Sequence, residues 1–205
     1  MTDARDDSPS RLRRAAGLLQ VDRSRINVGQ IQAYQDGVEY LAQIAAVLPD
    51  LQTIDVMANL RDRDSICTWI GQSIGVINLQ LQSHLRACDE CFKPIDRRSI
   101  QIFAVPLAAS IQLDGFCNIL TTPTSILVDV GRVARPDWLA LVAHEYAHAH
   151  LGAAGHEAEY AKVLSHLCLG LGLPVQSPIH SDSSLAYWPP YQPIVDPLAF
   201  WRGES

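Results

Sequence analysis

The sequence predicts an α+β fold: a helical N-terminal part, then a compact core with a small mixed or antiparallel sheet and two helices carrying the candidate site. Three observations lead there. Apolar residues recur at helical spacing through residues 11–92, β-branched and apolar runs cluster between residues 99 and 130, and helical spacing then returns twice before a proline-rich tail.

Residues 1–10, rich in Asp, Arg and Ser, form a start expected to be disordered. From Arg11 to about Leu48, the residues Ile31, Tyr34, Val38, Leu41, Ala45 and Leu48 make one apolar stripe, which Pro49-Asp50 closes. A second helical stretch is expected from Leu51 to Leu60. A third runs from Asp64 to Cys91 through Ile66, Ile70, Ile74, Ile77, Leu81 and Leu85, with Gly71 and Gly75 as weak points inside it.

The pattern changes at Lys93-Pro94, where the core, residues 93–173, is expected to begin. Ser99–Val105 reads as a strand. Ile111–Leu113 and Phe116–Leu120 read as two short strands joined by an Asp114-Gly115 turn, and Ser125–Val130 as a further strand. Arg135-Pro136-Asp137 opens a helix, because proline suits the first turn and aspartate the positive end of the helix dipole. That helix fades near Gly152, and another follows from His156 to Leu171. The tail, residues 174–205, holds six prolines from Pro174 onward and is expected to pack on the core.

Composition narrows the function classes. With 205 residues, 48% hydrophobic and 19% charged, the chain can bury a sizeable core. No apolar run reaches the roughly 18 residues of a membrane span, and the start lacks the apolar stretch of a secretory signal, so a cytoplasmic setting without membrane contact is the expectation. Five cysteines, an odd number at irregular spacing, point to reduced thiols. Residues 99–205 carry 4 Lys/Arg against 9 Asp/Glu, which is −5 of the net charge of −6. Such a surface repels phosphate backbones, so no nucleic-acid partner is expected.

The chemistry concentrates in His144-Glu145-Tyr146-Ala147-His148, an H-E-x-x-H run within a predicted helix. Residues four apart share a helix face, so both imidazoles can reach one tetrahedral ion at about 2.0–2.1 Å. Glu145, one position round, can take a proton from a water activated beside that ion. With this composition the run arises by accident in roughly one such sequence per hundred. Catalytic zinc takes three protein ligands, so a third is needed. His156 is the best candidate, because Gly152-Ala153-Ala154-Gly155 can turn the chain back over the first helix. Glu157 or Glu159 could serve instead, could orient a liganding histidine, or could simply complement a helix N-terminus. His150 lies about 200° round from His148 and points away, and His166 fits an apolar helix face.

Residues 125–167 resemble the compact zincin metallopeptidases grouped as SprT-like proteins and minimal gluzincins. The likeness rests on the strand Ser125–Val130, on Leu141-Val-Ala-His-Glu-Tyr-Ala-His148, and on Gly155-His156 followed by Tyr160, Leu164 and Leu167. It implies a zincin-like core in which His144, His148 and His156 hold zinc and Glu145 is the general base. It also implies a peptide or protein substrate, paired along the strand before the helix as the sheet edge. The helical N-terminal part and the tail lie outside the likeness, and the basic DNA-binding elements of several relatives are missing.

The expected activity is peptide hydrolysis. The alternatives are a noncatalytic partner-binding or regulatory protein that keeps the fold and a structural metal, or a hydrolase of a nonpeptide amide. In the first of these, the helical N-terminal part could bind a protein partner or could cover the cleft as a latency device. Weaker signals are Cys88 and Cys91 with His84 as a second zinc site, buried Cys117 and Cys168, and Tyr146, Tyr160, Tyr187 and Tyr191 as donors to a developing oxyanion. Asn118 and Asp129 carry no assignment.

Overall fold

The computed structural model describes residues 28–175, 185 and 188–204. Helix α1 (Val28–Ala45) and helix α2 (Arg63–Glu90) pair closely, followed by β1 (Ile100–Ala104), β2 (Gly115–Asn118) and β3 (Thr124–Val128). Helices α3 (Trp138–Leu151) and α4 (Ala158–Leu171) come next, and a short α5 (Pro197–Trp201) ends the chain. The α+β expectation holds, with a mixed sheet. The expected disordered start, the helical reading over 11–27 and Tyr187 lie outside the described residues. Among the described residues no helix is long and apolar enough to cross a membrane.

The glycines that looked like weak points in α2 divide into two kinds. A side chain at Gly71 would collide with the Ala33 carbonyl, and one at Gly37 with the Cys67 carbonyl, whereas Gly75 has open space around it. Gly37 and Gly71 therefore let the α1 and α2 backbones touch, and that contact offsets the helix propensity they lose.

The sheet order is β1-β3-β2, with β1 parallel and β2 antiparallel to β3. Ile126, Leu127 and Val128 are all fully buried, as a strand covered on both faces requires. Ile102, Ala104, Ile126 and Val128 join the main core with α2, α3 and α4, while Leu127 packs on the opposite face with Ile44, Val105 and Leu107. The side chains of α1 and α2 share that main core with α3 and α4.

Three expectations need correcting. Leu51–Leu60 is not a helix: only Leu51–Thr53 forms a 3-10 turn, and turns follow. Asp50 accepts from the Gln52 amide at 2.8 Å, and Asn59 from the Arg61 and Asp62 amides at 3.2 Å, so local side chains compete with the helix ladder. Ile111–Leu113 is not a strand and Asp114-Gly115 is not a hairpin turn. A 3-10 turn at Ala109–Ile111 ends in Gln112 with φ 49°, and pairing begins only when the Asp114 carbonyl receives the Asp129 amide at 2.8 Å. Finally, Ser125–Val130 is not the sheet edge. The strand it forms, β3, is the centre strand, and β2 is the edge that lines the cleft.

The described residues of the tail tie into the core. Pro193 bridges to Val133, the Ile194 amide donates to the Arg132 carbonyl at 2.8 Å, and Trp201 is fully buried. Asp129 gathers this region. Its carboxylate accepts from the Trp201 indole (2.7 Å), Arg132 Nε (2.9 Å) and the Leu107 and Gly131 amides (3.0 Å each).

Candidate metal centre

Helix α3 has buried residues on every side: Ala140, Val142, Ala143, Tyr146, Ala147 and Ala149 among them. The small alanines let neighbouring elements close around it, and His144, Glu145 and His148 are the polar residues left facing one cleft. Gly152, at φ 67°, ends the helix in a left-handed cap and starts the turn that brings His156 back.

His144, His148 and His156 each place one ring nitrogen within 4.8 Å of the others, and they are the one such group of three or more metal-capable side chains among the described residues. Nε2 of His144 and Nε2 of His156 lie 3.4 Å apart. Two ligands bonded at about 2.0–2.1 Å to a tetrahedral ion are separated by about 3.3–3.4 Å, so this edge already has the right length.

The tautomers agree. The Nδ1–H of His144 donates to the Trp188 carbonyl at 2.6 Å, and that of His148 to the Ala153 carbonyl at 3.0 Å. A carbonyl only accepts, so both protons sit on Nδ1 and both Nε2 lone pairs face the cluster. Burial pushes His144 down to about 4 and His148 below its ordinary value, which keeps both rings neutral. Tyr160 stacks on His148 at 4.4 Å and its hydroxyl donates to the His144 carbonyl at 3.3 Å. This donor set, three imidazoles with ring nitrogens gathered within 4.8 Å of one another, fits a divalent zinc-like ion.

Glu145 is 6% exposed and packs against β2. A Cβ on Gly115 would stand 2.8 Å from Glu145 Oε1, so any larger residue there must push the carboxylate aside. Burial, with the Asp114 carboxylate adding to it, pushes the Glu145 carboxyl up to about 8. The Tyr191 hydroxyl donates to Asp114 Oδ2 at 2.6 Å. The three histidines and Glu145 open on a cleft of about 380 Å³, walled by β2 on one side and by Trp188 and Tyr191 of the tail on the other.

The other candidate residues fall elsewhere. Glu157 and Glu159 are exposed and outside the histidine group. Glu159 pairs with Lys162 at 2.6 Å, while the Glu157 carboxylate lies against Gly155. His150 turns away and stacks on Phe92 at 4.1 Å, and His166 donates to the Cys91 carbonyl at 2.8 Å. Cys88, Cys91 and His84 do not gather into a second metal site: Cys88 is fully buried and Cys91 donates to the Ala87 carbonyl at 3.4 Å. Cys168 is fully buried, while Cys117 is only half-buried, on the cleft wall. Tyr146 donates to Asp89 at 2.7 Å.

Sequence reasoning missed the cleft role of three residues: Asp114 and Gly115, read only as a turn, and Trp188; Tyr191, read as an oxyanion donor, donates instead to Asp114. Gly115 carried a usable signal, a glycine opening a strand. A backbone carbonyl at Trp188 carries none. No protein-family model, curated protein or solved structure matches this chain.

Proposed function

We propose that the chain is a zinc-dependent metallohydrolase that cleaves peptide bonds, with His144, His148 and His156 as ligands and Glu145 as general base. The observation that carries this reading is the agreement of two independent features. The tautomers turn the Nε2 atoms of His144 and His148 inward, and the His144–His156 separation of 3.4 Å matches a tetrahedral edge.

Bound there, zinc would supply a Lewis acid for the scissile carbonyl and acidify a nearby water. The chain supplies the rest. Glu145 sits beside the histidines in the same cleft, where it takes a proton from the attacking water and hands it to the departing amine as the C–N bond breaks. Its carboxyl is raised to about 8, and a divalent cation at the histidines would draw it back toward the ionised form a base requires. The edge strand β2 lines the cleft, and a sheet edge of this kind suits an extended peptide backbone.

The competing reading is a noncatalytic protein with a structural metal. Structural zinc is closed by four protein ligands. Among the described residues no fourth His, Cys, Asp or Glu joins the three histidines. The test is direct: measure zinc by elemental analysis, then digest a peptide library with wild type and Glu145→Gln. Wild type that takes up no metal sinks the proposal, and metal-loaded wild type that cleaves nothing transfers support to the noncatalytic reading.

A further inference from the structure

We propose that the C-terminal strap, residues 188–204, is a working part of the metal site: its docking sets zinc affinity through the Trp188 carbonyl. This rests on the metal-site reading above.

The two helix-borne ligands differ in how they are oriented. His148 takes its partner from Ala153, five residues on, in the loop that follows its own helix. His144 takes its partner from Trp188, 44 residues away in sequence. The first orientation is local and forms whenever α3 forms. The second exists only while the strap is docked.

Anchors other than the His144 bond hold the strap, one on the cleft wall and the rest beyond it. Tyr191 donates to Asp114 at 2.6 Å, Pro193 bridges to Val133, the Ile194 amide donates to the Arg132 carbonyl at 2.8 Å, and the Trp201 indole donates to buried Asp129 at 2.7 Å. Releasing them withdraws the acceptor that holds the His144 proton on Nδ1. The ring is then free to populate the other tautomer, whose Nε2 carries a proton and cannot ligate.

Coupling of this kind is reciprocal. If docking strengthens zinc binding by some factor, zinc must strengthen docking by the same factor. The strap is then a device by which whatever loosens the C-terminus also unloads the metal.

The experiment uses the full-length chain, with zinc affinity read by competition against a chromophoric chelator. Trp201→Phe keeps an aromatic ring in the core but loses the donor to Asp129, and Tyr191→Phe loses only the phenol. Each is expected to weaken zinc binding by about tenfold, the lower end for loss of a ligand's orienting partner. Tyr40→Phe removes a comparable phenol bond, to the Ala104 carbonyl at 2.7 Å, and should leave the affinity unchanged. Should Trp201→Phe fail to fold by circular dichroism, Tyr191→Phe decides.

Hydrogen exchange supplies the reciprocal readout. Zinc should slow exchange at the Ile194 amide more than at Val105, whose amide is bonded to the Val128 carbonyl at 2.9 Å and reports global stabilisation. Tight wild-type binding with both strap variants within twofold of it overturns the strap's role and leaves the metal site standing. Equal slowing at Ile194 and Val105 overturns it as well. A wild type that binds no zinc takes down both.

Discussion

Replacing His156 by alanine separates a three-ligand site from a two-histidine accident, and it needs no knowledge of the substrate. The three ring nitrogens already lie within 4.8 Å of one another and the His144–His156 edge is 3.4 Å, so a zinc ion meets ligands that are already gathered, one edge at tetrahedral length. Little affinity is lost to reorganisation. At free zinc a thousandfold above Kd, binding to the folded state alone stabilises it by about 4.1 kcal/mol. For a domain of this size each kcal/mol shifts Tm by about 2–4 °C, so saturating zinc should raise the melting temperature by about 8–16 °C. His156→Ala leaves a half-buried cavity and two ligands, so the zinc-free protein should melt within a few degrees of wild type while most of the zinc-dependent shift disappears. Differential scanning calorimetry with and without zinc measures both quantities. If His156→Ala keeps the full zinc shift, His156 is not a ligand and the geometric reasoning fails. If Glu157→Gln abolishes the shift instead, the exposed carboxylate is the third ligand after all.

Further outcomes follow from the same geometry. Glu145→Gln should retain zinc, measured by elemental analysis, yet lose peptide turnover by at least about a hundredfold. In the zinc-free protein the same change should also flatten the pH dependence of stability. A carboxyl raised to about 8 from an ordinary 4.5 contributes stability that is complete below pH 4.5 and lost as the pH rises toward 8, which denaturant melts across that window would register. Gly115→Ala forces a Cβ to within 2.8 Å of Glu145 Oε1, so it should keep zinc and lower kcat/KM by about 10–100-fold as the base is displaced, and unchanged kinetics would show that the carboxylate moves aside freely. Asp129→Ala strands an arginine, an indole and two backbone amides in a buried setting and should cost about 3–5 kcal/mol in urea unfolding.

Much of this was legible in the sequence where the physics is local. The spacing of Ile66, Ile70, Ile77 and Leu81 located α2 to within a residue at each end, because burial of one stripe is what holds a helix in place. His144 and His148 were legible for the same reason: four residues on a helix fix a geometry. What stayed hidden depended on partners distant in sequence. β2 became the edge only because β1 pairs parallel to β3 across a long crossover, and nothing in Ser125–Val130 records which neighbours it will have. The Gln112 backbone at φ 49° ended an apolar stretch that three residues of alternation could not distinguish from a strand. Trp188 acts through its main chain, so its side chain says nothing about the role.

Helix α3 carries groups that stability alone would not place there. Its alanines, Leu141, Val142 and Tyr146 bury it on all sides, and a buried helix is most stable when apolar all round. Yet it keeps two imidazoles and a carboxyl where burial disfavours the charged form of all three, and β2 forgoes a side chain at Gly115 to leave the carboxyl room. Backbone carbonyls at Trp188 and Ala153 are then committed to the imidazoles, while Asp114 raises the carboxyl further instead of relieving it. The buried imidazoles and the raised carboxyl cost stability in the metal-free chain, and a divalent cation at the three histidines would offset both: it would occupy the inward lone pairs and supply the positive charge that Glu145 lacks. Local rules broken in concert around one cleft mark a site kept for its chemistry.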